Sequence, residues 1–179
     1  MKKTILNYGL LSGGIAAILM VVTSLILKNS LNFDSGYIYG YAGILLSLVV
    51  IFFAVKRYRD KMNNGFITFG RALVIGLAIA FISGLFYSAS WLLVNKFIMP
   101  DFVDQFCAYQ IQHLQDSGKS AQEIAEAKVE LDKYREAVKN PLMNFAYAFT
   151  EPFPVGVLVS LITALILRRK RINGTIDQV

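Results

Sequence analysis

The sequence predicts an all-α integral membrane protein: a four-helix bundle with a helical extracytoplasmic hairpin inserted between the third and fourth spans. Three observations predict this. The runs 4–27, 35–55 and 72–95 contain no Asp, Glu, Lys or Arg, and a fourth run, 140–167, contains only Glu151. The polar segments between the runs differ in charge from one side to the other. The segment between the third and fourth runs carries helical signals of its own.

Crossing a hydrocarbon core of about 30 Å takes about 20 helical residues, so each run is long enough to span. Spans are expected at about 5–27, 36–55, 72–94 and 145–167. In a chain of 179 residues they leave room for a single membrane domain over 1–179 and one insertion at 95–141. A secretory signal is the competing reading of the first span, with Lys2 and Lys3 ahead of the apolar run and Val22-Thr23-Ser24 as a loose cleavage site. That run is longer than the usual signal core of about 7–15 residues, which favours a helix that stays in the membrane.

Charge sets the orientation. The amino terminus, the loop 56–71 and the tail 168–179 together hold eleven cations against Asp60 and Asp177, a net of +9. The loop 28–36 and the segment 95–141 hold seven cations against nine acids, a net of −2. Basic residues in short loops are retained on the cytoplasmic side. Both termini are therefore expected in the cytoplasm, with 95–141 on the other side of the membrane. The cations Lys56, Arg57, Arg59, Lys61, Arg168, Arg169, Lys170 and Arg171 then lie where anionic lipid headgroups would meet them, and the bilayer is the expected partner. Span retention accounts for these clusters, and no nucleic-acid partner is expected.

Small residues recur at four-residue spacing in each span: Gly9, Gly13 and Ala17; Gly36 and Gly40, then Gly43 and Ser47; Gly76, Ala80, Gly84 and Ser88; Gly156, Ser160 and Ala164. Residues four apart share a helix face. In lipid, where apolar burial drives little association, such faces let backbones approach closely. They predict tight helix packing within the bundle, or a homodimer that uses one stripe. Tyr37, Tyr39 and Tyr41 near one end of span two, Phe66 and Phe69 before span three, and Trp91 late in span three read as interfacial anchors.

Within the insertion, Ser120 and Glu123 form a capping-box pattern that starts a helix at Ala121. Ile124, Ala127, Leu131, Tyr134 and Val138 follow at alternating spacings of three and four. Upstream, Phe102, Phe106, Tyr109 and His113 share a face, with Val103, Cys107, Gln110 and Leu114 beside it. Gly118 is expected near the C-cap of this first helix. The product is a hairpin with an apolar seam, which packs on itself or receives an envelope protein partner.

Glu151 is the single candidate for chemistry inside the membrane, since an intramembrane carboxylate is by default a functional group. Pro152 and Pro154 follow it and interrupt helical hydrogen bonding. Glu151 precedes Arg168 by 17 residues, about 25 Å along a helix, which reaches the far interface. The simpler expectation is a helix that enters at Pro154 with Glu151 at headgroup level. The sharper one is a span that starts at Pro141 and kinks at the proline pair, as broken helices do at transporter sites.

Nothing in the motifs points to an enzyme. One His excludes H-E-x-x-H, and neither G-x-S-x-G nor G-x-x-x-x-G-K-[ST] occurs. Asn7, Ser12, Thr23, Ser24, Ser83, Ser88 and Ser90 are scattered over the spans without an acid–base pair. No catalytic residue, metal or cofactor is expected. A lone Cys107 offers no intramolecular disulfide.

Three stretches taken together, KRYRDKMNNGFITFGRA over 56–72, FIMPDF over 97–102 and EPFPVG over 151–156, resemble an uncharacterised membrane-protein family of the Bacteroidota, catalogued as domain of unknown function 4199. The resemblance covers essentially the whole chain. It implies four spans in the bacterial cytoplasmic membrane and brings no activity, substrate or catalytic residue. The function expected from the sequence is a non-enzymatic structural or interaction component of the envelope. The alternative is a small transporter or ion-conducting module that uses Glu151 and the Pro152–Pro154 break.

Overall fold

A computed structural model describes residues 1–28 and 33–169. Its elements are α1 (Lys2–Leu27), α2 (Phe33–Leu48), α3 (Val50–Arg57), a π-helical turn (Tyr58–Met62), α4 (Phe69–Phe97), α5 (Phe102–Asp116), α6 (Ala121–Val138), α7 (Pro141–Phe149) and α8 (Pro152–Leu167). Four apolar helical stretches are long enough to cross a membrane: Lys2–Leu27, Phe33–Met62, Phe69–Phe97 and Pro141–Leu167. They run several residues past the expected spans, because Lys2, Lys3, Lys56, Arg57 and Lys96 are good helix formers that continue each helix beyond its apolar centre. Two of the stretches are interrupted, at Val49 and at Thr150-Glu151.

The central helix is α4. It packs against α1 on one side and α8 on the other, with α3 and α7 touching it at its two ends. The small-residue stripes explain how closely. A Cβ added to Gly9 or Gly13 of α1 would fall 2.7 Å from the Ile82 or Phe86 side chain of α4. On the other face, a Cβ on Gly76 would meet Ser160 Oγ at 2.7 Å, and one on Gly156 would meet Ala80 Cβ at 2.5 Å. Gly84 receives the ring of Phe149 in the same way. Span two departs from this pattern. Nothing lies within 4 Å of a Cβ built on Gly40, and Gly36 and Gly43 have only ordinary contacts with Leu27 and Leu19.

Ser12, Ser47 and Ser83, far apart in sequence, converge in the bundle. Ser12 Oγ lies 2.8 Å from the Ser47 carbonyl and 3.1 Å from Ser83 Oγ, joining α1, α2 and α4. Each of these serines is at most 1% exposed. Large apolar side chains such as Leu6, Ile18, Ile26, Leu46, Val74, Leu158 and Ile166 instead point away from the bundle, as lipid-facing residues do.

At the end of the bundle that holds the chain's amino terminus, Asn64 (φ 53°) and Gly65 (φ 81°) take left-handed conformations and turn the chain back into α4. Ile67 pairs with Arg169 through two backbone hydrogen bonds of 3.1 and 2.8 Å. Arg59 pairs with Asp60 at 2.6 Å and reaches the Leu167 carbonyl at 3.4 Å, so its guanidinium ties two elements together. Lys56, Arg57, Lys61, Arg168 and Arg169 are exposed. Lys170 and Arg171 lie outside the described residues.

At the opposite end, α5 and α6 form the expected hairpin. Ser120 Oγ accepts from the Glu123 amide while Glu123 Oε2 accepts from the Ser120 amide at 2.9 Å. The Ser120 amide, and after it Lys119 at 3.0 Å, hold the Glu123 carboxyl down at about 2. Gly118 (φ 69°) closes the end of α5. Cys107 is 3% exposed in the seam beside Leu131, and burial pushes its thiol up. The hairpin does not stand free of the bundle. Tyr109 donates to Asp34 at 2.6 Å, Gln110 donates to the Tyr37 hydroxyl at 3.1 Å, and Trp91 meets Phe102 edge-on at 4.9 Å.

Candidate functional site: an aromatic cavity around Glu151

The fourth span enters at Pro141, capped by the Asn140 side chain, which accepts from the Leu142 amide. It breaks at Thr150-Glu151 and resumes as α8 at Pro152. Pro152 and Pro154 supply no N–H to the carbonyls four residues earlier, those of Ala148 and Thr150, so helical bonding lapses there. Thr150 turns its hydroxyl back to the Tyr147 carbonyl at 2.6 Å. Glu151 sits at the N-cap position of α8, yet its side chain makes no capping bond. The carboxylate instead accepts from the Tyr87 hydroxyl of α4, at 2.6 Å on Oε2. The helix thus starts before Pro154, and Glu151 is exposed with one carboxylate oxygen bonded to Tyr87. Both sides of this pair lie at the same depth, since Tyr87 is 16 residues, or about 24 Å, beyond Arg71.

Glu151 borders an open pocket of about 360 Å3 lined by α1, α2, α4 and α7 and by the α5–α6 hairpin. Glu151 is exposed, and its Oε2 meets the Tyr87 hydroxyl. Nine of the described lining residues are aromatic: Phe33, Tyr37, Tyr41, Tyr87, Trp91, Phe102, Phe106, Tyr134 and Tyr147. Glu151 is the one charged group among them. Gly36 and Gly40 also line the cavity, which accounts for the missing close contacts of span two: these glycines leave room for the cavity.

The hairpin side of the pocket is held by a chain of ring contacts. Phe33 stacks on Tyr109 at 4.8 Å and meets Phe102 at 5.7 Å, Phe106 meets Tyr134 at 6.3 Å, and Tyr134 meets Tyr147 at 5.2 Å. Burial, and secondarily the negative charge of Glu151, pushes the Tyr134 phenol up to about 12, so it stays a neutral donor at any physiological pH. Asn144 is 6% exposed and fully engaged. It accepts from Trp91 Nε1 at 3.0 Å and donates to Asn95 Oδ1 at 3.1 Å, fixing α7 to α4 beside the cavity.

The structure therefore brings Glu151 together with Tyr87, Trp91, Tyr37 and Tyr41. The basic clusters expected at the headgroups lie at the other end of the bundle. Sequence reasoning placed Tyr37, Tyr41 and Trp91 at the interface as anchors; all three line the pocket, and Tyr37 and Tyr41 are also exposed, as Tyr39 is. The signal that could have placed them there is their spacing. Tyr37 with Tyr41, and Tyr87 with Trp91, are each four apart and so share a helix face.

The profile of the family described as protein of unknown function (DUF4199) matches residues 7–169. The chain belongs to the DUF4199 family. The match takes in all four helical stretches, the hairpin and Glu151, so the cavity lies wholly within the part of the chain that DUF4199 covers. No curated protein matches the sequence, and no solved structure matches it.

Proposed function

We propose that this membrane protein binds a small molecule in the cavity around Glu151, as a carrier or receptor module of the bacterial inner membrane. Both termini lie in the cytoplasm in this reading, and the hairpin-lined cavity lies toward the outer side. The single observation that carries it is a carboxylate held in an aromatic cavity without capping its own helix and without a cationic partner among the described residues. A role confined to scaffolding accounts for the small-residue seams but leaves this arrangement unexplained. A charged group within a membrane span is costly and is kept where it faces a cavity, a substrate or an ion. A volume of about 360 Å3 falls within the range of ligand pockets, about 300–1,000 Å3. The break at Thr150-Glu151 puts backbone carbonyls beside the carboxylate, the arrangement used at discontinuous helices of transporters.

The test uses the chain's only tryptophan, Trp91, which lines the cavity. N-phenyl-1-naphthylamine, which accepts energy from excited indole, is titrated into the protein in lipid nanodiscs. The expected result is saturable quenching of Trp91 with one site per chain, abolished by Gly40→Leu, whose side chain fills the cavity without touching a helix seam. Quenching that rises only linearly with probe, or that Gly40→Leu leaves unchanged, refutes the cavity as a binding site.

A further inference from the structure

We infer that the ligand of this cavity is an organic cation with an aromatic or compact alkyl body, such as an aryl-alkylammonium, whose positive centre is held between Glu151 and the surrounding tyrosine and tryptophan rings. The inference rests on the cavity reading above and goes further by fixing the sign of the ligand's charge. Three features of the cavity agree on that sign.

The first is the charge of the wall. No Lys, Arg or His appears among the described lining residues, so the negative charge of Glu151 has no internal counter-ion. The described ion pairs all lie elsewhere, on the hairpin surface and at Arg59–Asp60. The second is the state of the carboxylate itself. Tyr87 occupies Oε2, and Oε1 has no hydrogen-bond partner among the described residues. Glu151 is exposed on a pocket whose other lining is uncharged, so a cation that enters the pocket can pair with Oε1 at little desolvation cost to the carboxylate. The third is the ring content. Tyr and Trp faces attract cations, more strongly when both are removed from water, and aromatic cages are the usual means of recognising ammonium groups that cannot donate hydrogen bonds. Tyr37, Tyr41, Tyr87, Trp91, Tyr134 and Tyr147 supply six such rings around one acid. A wall of this kind disfavours anions twice, by like charge at Glu151 and by the negative ring faces.

The test compares benzyltrimethylammonium with its uncharged isostere neopentylbenzene and with benzenesulfonate, each as a competitor of N-phenyl-1-naphthylamine in the nanodisc assay. Benzyltrimethylammonium is expected to displace the probe at least tenfold more tightly than neopentylbenzene, with no displacement by benzenesulfonate. Glu151→Gln preserves the shape and can still accept from Tyr87, so the variant should fold and bind the probe. It is expected to erase the preference for the cation over the isostere. Equal competition by cation and isostere on the wild-type protein overturns the inference while leaving the cavity reading intact, and indicates an acyl chain or other neutral occupant. Tighter competition by the sulfonate overturns it as well, as does a cation preference that survives Glu151→Gln. Failure of the probe itself to bind saturably overturns the cavity reading, and the inference with it.

Discussion

Gly156→Ala tests how the bundle is held together. The added methyl would sit 2.5 Å from Ala80 Cβ, whereas unstrained carbon contacts lie at about 3.5–4.0 Å. Ala80 Cβ is bonded directly to the α4 backbone, so no rotamer can move it aside, and the next neighbours are Ala80 Cα at 3.6 Å and Leu48 Cδ2 at 3.7 Å. Relief requires α8 to shift from α4 by roughly 1 Å. A gap of that size forfeits about a quarter to a half of each dispersion contact along the seam. Overpacking of a closely fitted interior costs about 1–3 kcal/mol, and in lipid no gain in apolar burial offsets it. At about 1.4 kcal/mol per factor of ten, the folding equilibrium constant should fall roughly 5- to 150-fold. The assay is reversible unfolding in mixed micelles with increasing dodecyl sulfate, followed by helicity and by Trp91 emission. Gly40→Ala is the matched control, since nothing lies within 4 Å of its new Cβ, and it should be neutral or slightly stabilising. The double variant Ala80→Gly/Gly156→Ala moves the methyl from one helix to the other and should recover at least half of the loss. Equal stability of Gly156→Ala and Gly40→Ala, or no recovery in the double variant, would refute the reasoning that backbone approach sets this interface.

The buried amide junction beside the cavity gives a second prediction. Asn144→Ala leaves Trp91 Nε1 without an acceptor and Asn95 Oδ1 without a donor, and should cost about 1–3 kcal/mol in the same assay, with a shifted Trp91 emission maximum. Topology is checked by thiol labelling. Cys107 is buried and its thiol raised by that burial, so it should react slowly with impermeant maleimide even if it faces outward. In a Cys107→Ala background, Ala125→Cys on the exposed face of α6 should label rapidly from outside and Lys61→Cys should be protected until the inner face is opened; the reverse order contradicts the proposed orientation. The hairpin should also be acid-sensitive in a defined window. The Glu123 carboxyl lies at about 2, below its ordinary 4.5, so its contribution is complete above about 4.5 and disappears as pH falls toward 2. Amide exchange at the start of α6, corrected for intrinsic rate, should stay flat from pH 7 to about 5 and rise below that, whereas Ser120→Ala should be fast throughout.

The sequence by itself determined the membrane class, the four apolar helices and the interior of the hairpin, because each depends on short-range rules. Twenty uncharged residues can be accommodated only by a bilayer or a deep core, Ser120 and Glu123 are three residues apart, and Gly76, Ala80 and Gly84 fall on one face whatever they touch. Those stripes announced close packing, but identical spacing in span two led elsewhere: Gly36 and Gly40 clear space for a cavity, and only the position of the neighbouring helices distinguishes a seam from a void. Glu151 and the proline break were visible as an anomaly, and depth alone put them at the far interface. The tertiary structure decided what surrounds them. Tyr87 is 64 positions away and Tyr37 114, so no local pattern could place either beside that carboxylate. The hairpin decided the rest, since docking through Tyr109–Asp34 and Trp91–Phe102 brings the rings of α5 and α6 to the pocket that Glu151 borders. Long-range contact between elements made this site, and that information is spread over six helices with no signature within any one of them.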